Sequence, residues 1–282
     1  MKKMLWLLAA MCCLSAGKTD ESIRLLVRAD DMGASRSANL AIIKSYDDGI
    51  VTAAEVMVPG PWFEEAASLL NERPDLDVGI HLTLTSEWSG VKWRPLTNCP
   101  SITDEDGYFF PFVHKNANAG EARSIVESKW DIREIEHELR AQIELAIKRI
   151  PHVTHLSQHM GCLNFSEETK QLYIRLAEAY GLSVEMQGLS PFPRWSGSNR
   201  SAADKKKKLL SEIDQLAPGT YLLVEHPAFD DRESQGMGHV GYEHVAADRS
   251  GVLDALIDKK IVKAVSRRGI RLISYRDLRR PL

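Results

Sequence analysis

Short apolar runs take turns along this chain with longer segments whose apolar residues recur every third or fourth position. Residues 23–29, 53–58, 78–85, 153–156, 182–186, 221–224 and 271–274 are compact and largely apolar, as expected of strands buried on both faces. Between them, residues 35–48, 62–71, 132–150, 167–180, 202–216 and 259–268 space their apolar positions for one helix face. In 132–150 those positions are Ile135, Leu139, Ile143 and Ile147. Strand and helix in alternation predict βα units on a parallel sheet. About seven such units predict an α/β fold, an irregular (β/α) barrel, with an open doubly wound sheet as the alternative.

The polar residues that interrupt the pattern sit at or near strand ends. Ala29-Asp30-Asp31-Met32-Gly33 closes the first run, and His81 interrupts the third. Thr154-His155-Leu156-Ser157-Gln158-His159 closes the fourth, and Glu225-His226-Pro227-Ala228 follows the sixth. Each group alone has an ordinary explanation. Adjacent aspartates can cap a helix, a lone histidine can be a satisfied core residue, and His226 before a proline can brace a turn. Together they fall where a barrel places its mouth. One Asp with two His holds a divalent ion and leaves coordination positions open, and a second Asp beside it can serve as a general base. Gly33 permits the turn that would let both carboxylates serve one site. The pattern predicts a metal-dependent enzyme, a hydrolase first.

Composition narrows the classes. With 44% hydrophobic residues in 282, the chain can bury a full core. A formal charge of −3 argues against nucleic acid as a partner. Lys2 and Lys3, the apolar stretch 4–14 and Ser15-Ala16-Gly17 predict a signal peptide over 1–17 and export to the periplasm or medium. Lipid attachment at Cys12 is disfavoured by Met11 before it, and an uncleaved anchor is the other alternative. Residues 18–282 then form a single domain without a transmembrane span, with loop insertions near 87–130 and 230–243. Cys99 and Cys162 remain after cleavage, and their spacing does not decide whether they pair. The lysine run 205–208 reads as a solvated helix face. Nothing in the chain sets its oligomeric state.

These segments resemble the YdjC-like carbohydrate deacetylases, the family that includes chitooligosaccharide deacetylases. The resemblance is carried by Ala29-Asp30-Asp31-Met32-Gly33, Gly49-Ile50-Val51-Thr52, Gly79-Ile80-His81-Leu82, Thr154-His155-Leu156, His226-Pro227-Ala228-Phe229 and the stretch from Gly269 to Asp277. It implies a polysaccharide-deacetylase-like barrel and one divalent metal ion, magnesium or zinc, held by Asp31, His81 and His159. It also implies Asp30 as catalytic base. On that footing His226 is expected to protonate the departing amine, and His155 to orient Asp30 or a ligand. Trp88, Trp93 and Trp195 are expected to stack on the rings of an acetylated oligosaccharide or amino sugar. The chain departs from the family at Met32, usually Phe, and at Ser157, usually acidic, and it lacks the later histidines of that loop. The alternatives are another metal hydrolase on this barrel, cleaving phosphoesters or cyclic amides, and a non-catalytic glycan-binding protein.

Overall fold

The computed structural model describes residues 22–116, 123–184 and 188–278. The expected signal peptide lies outside these residues. In chain order the elements are β1 (Ile23–Met32), α1 (Arg36–Asp47), β2 (Ala53–Val56), α2 (Phe63–Asn71), β3 (Asp77–Leu82), α3 (Ile132–Arg149), β4 (Val153–Gln158), α4 (Glu167–Tyr180) and β5 (Ser183–Val184). There follow β6 (Ser190–Pro191), α5 (Ala202–Gln215), β7 (Gly219–Glu225), α6 (Arg232–Gln235), α7 (Val245–Leu256), α8 (Lys259–Arg267) and β8 (Arg271–Ile273).

The strands form one sheet in the order β5-β4-β3-β2-β1-β7-β6, with β8 also on β1. All neighbours are parallel. β1 is ten residues long, and two strands share one of its edges: β8 pairs with Arg24–Leu26 and β2 with Arg28–Met32. Among the described residues β5 and β6 each pair on one side only, so the barrel is irregular and open between them. Burial explains the apolar runs, since β1, β2 and β3 are covered on both faces.

Helix ends follow local chemistry. Ser166 and Thr169 form a capping box at the start of α4, and Gly181, at φ 65°, ends it in the left-handed region. Both ends of this helix are legible in the sequence. α7 is not, because Arg249 and Gly251 interrupt its apolar face and both are buried. Arg249 reaches Asp31 in the barrel, whereas Gly251 lets α7 pack closely on Ala202 and Lys205 of α5. The lysine run also needs correction. Lys207 is exposed, but Lys205 is fully buried and pairs with Asp248, tying α5 to α7.

The described residues of the insertion near 87–130 are packed rather than free. Trp88, Trp93, Phe109, Phe110 and Phe112 are buried. Glu138 on α3 accepts from the backbone amides of Leu96 and Thr97 at 3.1 and 2.8 Å. Cys99 and Cys162 are both buried and are not joined in a disulfide. No described helix is long and apolar enough to cross a membrane.

Candidate metal and catalytic site

A cavity of about 420 Å³ opens at the C-terminal ends of the strands, the face that carries the active site in (β/α) barrels. Asp30 and Asp31 from β1, His81 from β3, His159 just past β4, and His226 just past β7 all line it. Five residues from four separate stretches of the chain thus meet because their strands end on one side.

Two adjacent residues of a regular strand would point to opposite faces. Here the pairing of β1 with β2 shifts register between Ala29 and Met32, and Asp31 takes φ 70°. The turn comes at Asp31 itself, two residues before Gly33, which follows at φ 99°. A non-glycine residue in the left-handed region costs about 1 kcal/mol or more. The distortion brings both carboxylates to the cavity.

Asp31 Oδ1 lies 3.2 Å from His159 Nδ1 and 3.6 Å from His81 Nε2. These three atoms all lie within 4.8 Å of one another, and all three residues are buried. Asp31 Oδ1 is buried with no well-aligned hydrogen bond, and its neighbour at 3.2 Å is His159 Nδ1. A buried carboxylate is costly unless positive charge meets it, which His159 supplies in the free site and a metal ion would supply in place of its proton. One oxygen and two imidazole nitrogens suit such a cation. The residues therefore fit one divalent ion.

The flanking groups sharpen this picture. Arg249 donates to the other oxygen of Asp31 at 2.8 Å. Burial acts to raise the Asp31 carboxyl, but Arg249 and the neighbouring histidines outweigh it and hold the pKa well below the usual range. Glu87 Oε2 sits 3.0 Å from His159 Nε2. Burial acts to discharge His159, but Glu87 and Asp31 prevail and raise its pKa to about 10. His81 moves the other way, driven down by burial and by His159 beside it.

Asp30 is gripped by Arg28, whose Nε and Nη2 lie 2.8 and 2.9 Å from its two oxygens. Arg28 and Asp30 are two apart on β1, so they share a face. Burial raises the Asp30 pKa to about 8 against the pull of Arg28. Arg28 Nη1 also reaches the hydroxyl of Tyr275 at 3.3 Å. His226 borders the cavity with its pKa pushed down to about 4, chiefly by burial.

His155 does not reach Asp30. Its Nε2 lies 2.6 Å from Glu55 Oε1 and its Nδ1 2.7 Å from Thr154 Oγ1, and Tyr275 packs on its ring with centroids 3.7 Å apart. Burial acts to raise Glu55, but His155, Arg28 and His81 bring its pKa down to about 2.

The three tryptophans are dispersed. Trp88 lines the cavity, but its ring already stacks on His239, at 5.7 Å and 18°, and lies 5.0 Å from the Arg249 guanidinium. Trp93 meets His159 edge-on and donates its indole N–H to Thr85 O at 2.7 Å, and it does not line the cavity. Trp195 borders a different cavity, of about 250 Å³, beside β7.

Arg28, Glu55, Glu87 and Arg249 were not singled out by sequence reasoning. Arg28 and Glu55 left a signal, a charge inside an otherwise apolar strand. Glu87 and Arg249 lie in a loop and a helix where a charge is unremarkable.

The sequence profile of the YdjC-like protein family matches residues 24–267. A carbohydrate deacetylase from Geobacillus stearothermophilus is 30% identical over 267 residues, covering 89% of this chain and 96% of that one. One from Thermus thermophilus is 32% identical over 76% of this chain and 80% of its own. A chitooligosaccharide deacetylase from Klebsiella pneumoniae is 27% identical over 90% and 98%. Among solved structures, a candidate cellobiose-phosphate cleavage protein from Enterococcus faecalis superposes with a TM-score of 0.73 at 22% identity. That match covers 92% of this chain and all of the other, and it speaks to the fold.

Proposed function

The chain belongs to the YdjC-like protein family, and on that premise we propose that it is a metal-dependent carbohydrate deacetylase, a hydrolase that removes acetyl groups, N-acetyl first, from a saccharide. The observation that carries the reading is the convergence of Asp31 Oδ1, His81 Nε2 and His159 Nδ1 beside an Arg-held Asp30.

Asp31, His81 and His159 would hold the ion, and the donor set suits zinc or magnesium. Such an ion supplies Lewis acidity toward the acetyl carbonyl and the attacking water. Asp30 takes the proton from that water as it attacks. Arg28 contacts both Asp30 oxygens, so the base cannot swing away from the cavity. His226 delivers a proton to the departing amine. It is neutral near pH 7 in the free site and must first acquire that proton, for which the protonated Asp30 in the same cavity is a source. Arg249 keeps Asp31 ionised and turned toward the ligand position. Trp88 is the tryptophan at hand for the sugar.

Export is part of the same proposal. It is supported by Lys2, Lys3, the apolar 4–14 stretch and the small residues 15–17.

The roles separate by mutation. Asp31→Ala, His81→Ala and His159→Ala should lose ion and turnover together. Asp30→Ala should keep the ion and lower turnover by about 10²–10⁴-fold. Elemental analysis alongside acetate assays checks both, and full activity in Asp30→Ala removes the base from the scheme.

A further inference from the structure

Glu55 brings a carboxylate to this site from a strand that sequence reasoning left out of it. It is fully buried on β2 and faces Gly79 across the β2–β3 pairing, and Gly79 in turn faces His155 on β4. One row thus crosses three strands. In the next row, two residues along, His81 faces Ser157. Gly79 makes the crossing possible. A Cβ there would stand 2.1 Å from Glu55 Oε2 and 2.4 Å from His155 Nε2. Without one, the Glu55 side chain passes over β3 and reaches β4.

At β4, Glu55 Oε2 accepts the hydroxyl proton of Ser157 in a short hydrogen bond. Ser157 Oγ lies 2.8 Å from His81 Nδ1. A serine hydroxyl has one proton to give, and an ionised carboxylate can only accept. With that proton committed to Glu55, the serine oxygen accepts from His81, so Nδ1 carries the hydrogen. Nε2 is left with its lone pair, and Nε2 is the nitrogen that faces Asp31.

We propose that Glu55 and Ser157 are positioning residues: β2 supplies the carboxylate that, through the Ser157 hydroxyl, fixes the tautomer and ring orientation of His81 for metal binding. Histidine ligands generally depend on such a partner for their other nitrogen. What is particular to this chain is that a carboxylate on β2 acts on the β3 imidazole by way of a hydroxyl on β4, in a relay that crosses over a glycine.

The inference rests on the metal-site reading, and two measurements keep them apart. The first is long-range proton–nitrogen NMR on the metal-stripped full-length protein, with His81 assigned through His81→Asn. His81 should carry its proton on Nδ1, and Ser157→Ala should erode that preference. A proton on Nε2 in the unmodified protein, or no change in Ser157→Ala, overturns the relay whatever the metal does. The second is zinc affinity by competition with a chelator. Ser157→Ala and Glu55→Gln should each weaken it by about 10–100-fold, and the double variant no further than the worse single. Glu55→Ser combined with Ser157→Asp places a carboxylate directly on β4 and should recover most of the loss. Losses that simply add, or no recovery on relocation, contradict the relay. Absence of zinc affinity in the unmodified protein contradicts the metal site instead, and leaves the tautomer measurement to judge the relay.

Discussion

At the scale of single residues, the site gathers carboxylates that need positive charge beside them, supplied in the free site by Arg28, Arg249 and His159. His159 is held charged by Glu87 and Asp31 in the free site, its Nδ1 standing 3.2 Å from Asp31 Oδ1. An imidazolium cannot ligate, so binding an ion must expel the His159 proton. Asp30, with its pKa raised to about 8, is also largely protonated at neutral pH, and a nearby positive charge favours its ionised form. Ion binding at pH 7 should therefore release about two protons. The sign follows: both pKa values lie above 7 in the free site, so raising the pH from 6 to 8 removes the competing protons and tightens binding. The gain should be about tenfold per pH unit for each proton displaced. Calorimetry of zinc binding in two buffers of different ionisation enthalpy counts them. A release of zero would mean that His159 is not a ligand.

At the scale of elements, one glycine and one buried lysine show how strands and helices hold the site. Gly79 keeps β3 clear for the Glu55–His155 pair, so Gly79→Ala should drive that pair apart. The expected cost is about 1–3 kcal/mol from overpacking, with a loss of ion affinity that the change at β3 alone does not imply. Urea unfolding and zinc titration together test it, and a variant that is destabilised but binds zinc normally contradicts the link. Lys205 joins α5 to α7 through Asp248, which also accepts from Tyr242 at the cavity wall. Lys205→Ala leaves a largely buried carboxylate without its cation and should cost about 3 kcal/mol or more, read as a lowered urea midpoint. Both features escape a reading by hydrophobic pattern. Period analysis treats a glycine in a strand as a weakness and a lysine run as a surface, whereas each here answers to a side chain brought in from another element. The same cause hid α7, whose inward positions include an arginine paired to Asp31.

At the scale of the molecule, the barrel was legible because parallel strands buried on both faces leave plain apolar runs, and because each active group lies where such a run stops. Asp30, Asp31, His81, His159 and His226 could be named for that reason, and the fold brings all five to one cavity. Their supports could not be named so readily. Arg28 and Glu55 act across the sheet, and Glu87 and Arg249 arrive from an insertion and a helix, so their partners are set by packing rather than by spacing. The tryptophans show the converse, since only Trp88 of the three lines the cavity, while Trp93 packs inside the insertion and Trp195 borders another cavity. The proposed activity comes down to one chemical event at the mouth of this barrel. The most direct test is acetate release from N-acetylated chitooligosaccharides by the metal-stripped protein, before and after single divalent ions are returned. The site predicts no release without metal, release on adding zinc or magnesium, and none in Asp31→Ala under the same conditions. Release that survives chelation, or its absence from a panel of N- and O-acetylated saccharides with zinc bound at His81 and His159, would contradict it.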